Sequence, residues 1–163
     1  MAHNIKPGVA TGDQVQEIFK YAKEKGLTIE TATISVSSEL QTAGDVISSK
    51  VDFIFVTNDN TVAEAMPILS AAANKNKVPV YVGADSMVMD GGFATVGIDY
   101  TDLGKETANI VDKVLKGTPV KEIPVETFDK ELSIYVNKKT QAELGITLPE
   151  SVTKDPKFIE IGE

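Results

Sequence analysis

Apolar positions along the chain follow two alternating rhythms. From Gln14 to Lys25, apolar Val15, Ile18, Phe19 and Ala22 recur at three- and four-residue spacing with Lys and Glu between them. That spacing predicts an amphipathic helix, with Gly26 as its stop. Leu27 to Val36 repeats Thr, Ile and Val and predicts a strand. Leu40, Ala43, Val46 and Ile47 then share one face of a second helix, with Ser37 or Ser38 in position to cap it. Val51 to Val56 is a short apolar run of the kind buried on both faces of a sheet. It stops abruptly at the polar stretch Thr57-Asn58-Asp59-Asn60-Thr61.

The alternation continues. An alanine-rich helix is expected from Val62 to Asn74 with a kink at Pro67. Val78 to Val82 reads as another buried strand ending in Gly83-Ala84-Asp85-Ser86, and Phe93 to Ile98 as a third. Asp102 is placed to cap a helix running to Leu115, which Gly117 ends. Beyond Pro119, Val120 to Thr127 and Leu132 to Val136 look extended, and Lys138 to Leu144 forms a short helix before Gly145. Near the N-terminus, Pro7 restricts Ile5 to Val9 to an edge or broken strand.

Strands separated by helical segments of this length imply right-handed βαβ units. The expected fold is a three-layer α/β/α arrangement around a mostly parallel sheet, flavodoxin-like in size. It would form a single lobe over residues 1–150, and residues 151–163, polar and carrying Pro156, form a tail that wraps or frays.

Composition narrows the chemistry. The chain has 163 residues, 42% hydrophobic and 25% charged, with a formal net charge of −8. All 16 basic residues are lysine, so no arginine fork is available for phosphate or guanine. With a net negative field as well, nucleic acid is excluded as a partner and an anionic membrane surface is disfavoured. No cysteine is present, and the single histidine is His3, which removes thiol nucleophiles, thiolate zinc sites and histidine triads. Gly91, Gly92 and Gly97 lack the spacing of a dinucleotide loop, and no Walker loop occurs. No metal, cofactor or catalytic residue is implied.

In open α/β sheets, ligands lie beyond the carboxyl ends of the strands. Two segments fall there, and they nominate Asp59, Asn60, Thr61, Asp85 and Ser86 as ligand-binding residues. Asp59 or Asp85 suits a ligand ammonium, and the free N–H groups of the helix after Thr61 suit a carboxylate. The pair has the complementarity of a zwitterionic amino acid. The same residues are also good helix caps and turn formers, so local structure competes as their explanation.

Several runs carry a resemblance. Val51-Asp52-Phe53-Ile54-Phe55-Val56-Thr57-Asn58-Asp59-Asn60-Thr61-Val62 and Pro79-Val80-Tyr81-Val82 resemble an ABC-transporter substrate-binding protein family associated with tryptophan/tyrosine transport. So do Gly92 to Tyr100, Asp102-Leu103-Gly104-Lys105, Val114-Leu115-Lys116-Gly117, Tyr135-Val136-Asn137 and Leu144 to Pro149. The resemblance implies the C-terminal lobe of a type I periplasmic-binding-protein fold, whose two lobes close on a small ligand. It also implies solute binding without catalysis, an ABC permease as partner, and an extracellular or periplasmic location. Asp59, Asn60 and Thr61, with Asp85 and Ser86, are the ligand positions carried over.

The chain departs from the family pattern in length, in lacking a signal peptide and lipid-attachment cysteine, and at Gly8 to Gln14, where a Glu-x-Asn-Ser motif is expected. These departures lead to the expectation of a truncated or engineered lobe with weakened ligand binding and a tendency to homodimerise. Two other function classes stay open at this point: a stand-alone regulatory or phospho-acceptor domain, and a scaffold without ligand binding.

Overall fold

The computed structural model describes residues 4–5, 12–127 and 132–162. His3, Pro7 and the Gly8 to Thr11 stretch lie outside them. Strands β1 (Asn4–Ile5) and β2 (Thr28–Ile29) form a small parallel pair, linked through helix α1 (Gly12–Glu24). Gly26 follows α1 with φ of 67°, the left-handed conformation that ends a helix.

The main sheet has five strands in the order β3 (Ile54–Val56), β4 (Val80–Val82), β5 (Ala94–Gly97), β6 (Ser133–Asn137) and β7 (Phe158–Ile161). Every neighbouring pair is parallel except β5 with β6. The expected three-layer, mostly parallel architecture is therefore present. Val80 and Val82 join one apolar cluster and the intervening Tyr81 joins another, so strand alternation places the two clusters on opposite faces. The larger cluster packs helices α2 (Leu40–Ser48) and α4 (Met66–Lys75) onto the sheet through Leu40, Ile47, Met66 and Leu69. The two helices approach closely because Gly44 faces Ala72, where an added methyl would lie 3.0 Å from the alanine Cβ. The other cluster gathers Phe93, Ala94, Val136 and Leu144.

Several elements differ from the sequence expectation, each for a physical reason. The strand expected over Leu27 to Val36 reduces to Thr28–Ile29. Ala32 and Ile34 still pack on the core, so the alternation reports side-chain burial without a backbone ladder. Neither Ser37 nor Ser38 caps α2. Those residues form a turn of 3-10 helix, and the Glu39 carboxylate instead accepts from the Ser35 N–H at 2.7 Å. The single helix expected from Val62 to Asn74 is two helices, α3 (Asn60–Ala63) and α4. Pro67 sits in the first turn of α4, where its missing N–H costs no hydrogen bond, so it starts a helix rather than kinking one.

Helix α5 (Asp85–Met89) follows β4, and the next helix, α6 (Tyr100–Leu115), begins three residues earlier than expected. Asp99, not Asp102, caps it, accepting from the Thr101 N–H at 2.7 Å. Val120–Glu122 turns as 3-10 helix instead of extending. Helix α7 (Lys138–Leu144) ends at Gly145 as expected. The C-terminal residues wrap back: helix α8 (Glu150–Thr153) leads to β7, which pairs with β6.

Candidate functional site

Three parallel strands end side by side, and each is followed by an aspartate that begins or caps the next helix. Asp59 caps α3 after β3, Asp85 opens α5 after β4, and Asp99 caps α6 after β5. The alternation of buried strand and polar turn makes this arrangement local at each point; the sheet order makes it a row.

Asp59 is half-buried, and its Oδ1 accepts from the Val62 N–H at 3.1 Å. Asp85 is also half-buried, and its Oδ1 accepts from the Ser86 N–H at 2.8 Å. Each carboxylate thus uses one oxygen for local structure. Asn60 and Ser86 are exposed, and Thr61 is half-buried in the single turn of α3. The expected seat for a ligand carboxylate at this helix start is diminished. The helix is one turn long, the Val62 N–H is held by Asp59, and the Ala63 N–H donates to the Asp59 carbonyl.

Residues that the sequence reading did not nominate complete the edge. Tyr135 on β6 is buried, and burial raises its hydroxyl pKa above 10.0, reinforced by the nearby Asp99, Asp85 and Asp102 carboxylates and opposed by a hydrogen bond with Ser133. Residues from three separate parts of the chain therefore share one electrostatic neighbourhood. Hydrogen bonds from Thr101 hold the Asp99 carboxyl below 3.8. Lys105 pairs with Asp102 at 2.6 Å, which raises the lysine pKa above 10.5. Asn58 lies against Gly83, and Thr95, on β5, buries an Oγ1 that has no partner among the described residues. The repeated aspartate just past each strand was a readable signal for Asp99; nothing in the sequence announces Tyr135 or Thr95.

The site can attract a cation and donate or accept hydrogen bonds. Among the described residues, no group of three or more His, Cys, Asp or Glu side chains could hold a metal ion. No helix among them is long and apolar enough to cross a membrane.

The profile of the ABC transporter substrate binding protein family matches residues 5–159. The chain belongs to that family. Among curated substrate-binding relatives, a tyrosine-binding protein from Clostridioides difficile (strain R20291) is 37% identical over 133 residues, covering 82% of this chain and 38% of the relative. A solved ABC domain from Streptococcus pneumonia in complex with L-Trp superposes with a TM-score of 0.83 at 37% identity, covering 98% of this chain and 55% of that one. The ligand-free, open structure of a Clostridium difficile substrate-binding protein with adhesive properties gives 0.78 at 30% identity, again covering 55% of that chain. The chain thus spans well under half of the curated relative and just over half of these solved substrate-binding proteins.

Proposed function

We propose that this chain is a solute-binding lobe that recognises a small amino acid with an aromatic side chain and performs no chemistry on it. The observation that carries the reading is the row of carboxylates at the ends of β3, β4 and β5, which offers an ammonium group a field with one pairing lysine, Lys105, among its close neighbours. Asp59, Asn60, Thr61, Asp85 and Ser86 are the proposed contacts, with Asp99 contributing charge. The tyrosine named for one relative and the L-Trp bound in another support the aromatic class.

In this reading the protein acts outside the cytoplasm and hands its ligand to an ABC permease, as its family membership suggests. Pairing with a second copy through exposed apolar surface, including Val111, Val114 and Leu115 of α6, belongs to the same proposal. A monomer mass by light scattering at high protein concentration removes that part.

The test is a thermal-shift screen of the amino acids at millimolar concentration. A ligand present at about 100 times its Kd stabilises the fold by about 2.7 kcal/mol. Stabilisation by tyrosine or tryptophan that disappears in Asp59→Ala supports the proposal. A flat screen on folded protein rejects it.

A further inference from the structure

The sheet face opposite α2 and α4 is not close-packed. Between that face, α1 and the residues leading into α8 lies a cavity of about 900 Å³. It opens to solvent, and its size falls inside the range of about 300–1,000 Å³ typical of small-molecule sites. Its wall is aromatic. Phe53 meets Tyr81 edge-to-face at 5.7 Å and Tyr81 meets Phe93 at 5.4 Å, so three rings form one rigid surface. Ile18 and Tyr21 of α1 face it from the other side.

The polar groups along the lining are few. Thr57 and Asn58 stand where β3 ends. Among the described residues, Glu17 is the one charged residue lining the cavity. With a protein net charge of −8, the site disfavours anions. Asp59, Asn60, Thr61, Asp85 and Ser86 do not line it.

We propose that this cavity is a separate binding site for a small aromatic molecule that is neutral or cationic, with its ring against the Phe53–Tyr81–Phe93 surface and a polar substituent toward Thr57 and Asn58. The site is distinct from the carboxylate row and stands whether or not that row binds an amino acid.

The experiment uses N-phenyl-naphthylamine, a neutral probe that fluoresces in apolar surroundings, and anilinonaphthalene sulfonate as its anionic counterpart. The neutral probe is expected to saturate at one site per chain, and the sulfonate to bind about tenfold or more weakly. Ala94→Phe fills the wall and should weaken the neutral probe by about tenfold. Val96→Trp keeps the test decisive if that variant fails to fold. Val96 lies on the lining yet is 62% exposed, and the chain has no tryptophan of its own, so the introduced indole reports energy transfer to the bound probe. Asp59→Ala should leave probe binding unchanged. Non-saturable binding, a preference for the sulfonate, absent energy transfer, or displacement of the probe by tryptophan in proportion to occupancy each overturns the proposal.

Discussion

The side chain of Asn58 occupies the space that a Cβ on Gly83 would need: an added methyl would lie 2.3 Å from Asn58 Oδ1 and 3.1 Å from its backbone N. Two neighbouring strands are thereby locked together where they end, one step before Asp59 on one side and two before Asp85 on the other. Because backbone as well as side chain blocks the space, rotation of the amide alone does not relieve the clash.

Gly83→Ala is therefore expected to destabilise the fold by about 1–3 kcal/mol, the usual cost of overpacking. Asn58→Gly made together with it should recover only the part of the loss owed to the side chain. Chemical denaturation of the two variants measures both effects.

Asn137 is a second point of convergence. Its side chain donates to the Val88 carbonyl at 2.7 Å and accepts from the Thr140 N–H at 2.9 Å, tying β6 to α5 and capping α7. It is buried, and it packs against Gly162, where a Cβ would lie 2.7 Å from its Oδ1. Asn137→Ala leaves a buried carbonyl and a helix N–H unpaired and should cost about 2–6 kcal/mol, with about 1–3 from each unsatisfied group. The urea midpoint should fall accordingly, with an unchanged slope.

Burial raises the hydroxyl pKa of both Tyr81 and Tyr135 above 10.0. A folded pKa above the unfolded value means that the native state holds the proton more tightly. Stability is then complete below pH 10 and declines as pH rises through the folded values. Absorbance titration at alkaline pH should show late-ionising tyrosines, and Tyr81→Phe should remove one late step.

Asp99 behaves in the opposite sense. Its carboxyl is held below 3.8 by the Thr101 hydrogen bonds that start α6. The stabilisation is present above that pH and is lost as pH falls through the lowered folded value. Acid titration followed by circular dichroism should show fraying of α6 at low pH, and Asp99→Ala should show the same fraying already at neutral pH.

The fold was legible because strands such as Ile54 to Val56 and Val80 to Val82 sit in largely apolar runs, and the helices between them keep a three- to four-residue rhythm. Pairing partners were not legible. Nothing in Phe158 to Ile161 announces that it pairs beside Ile134 to Asn137, since a ladder depends on residues distant in the chain. The same applies to the candidate site. Asp59 and Asp85 stood out because each directly follows a buried strand. Tyr135 became part of the neighbourhood only when the antiparallel pairing of β5 and β6 brought it opposite Thr95. Capping was misread at Ser37, Ser38 and Asp102 because several acceptors lay within reach of each helix start, and tertiary geometry chose among them.

Helix α6 is amphipathic, yet none of its residues is buried among the described residues, and Leu115 is 81% exposed. Leu103, Ile110 and Val114 on its apolar side line an open cleft whose other wall is Val120 to Glu126. Such a helix is held by its own hydrogen bonds and caps rather than by the core. Its backbone amides should exchange with deuterated water through local opening, far ahead of those in β4 and β5, whose protons are released only when the whole sheet comes apart. The molecule then has two clocks, and whatever seats on α6 will be seen first as a slowing of the faster one.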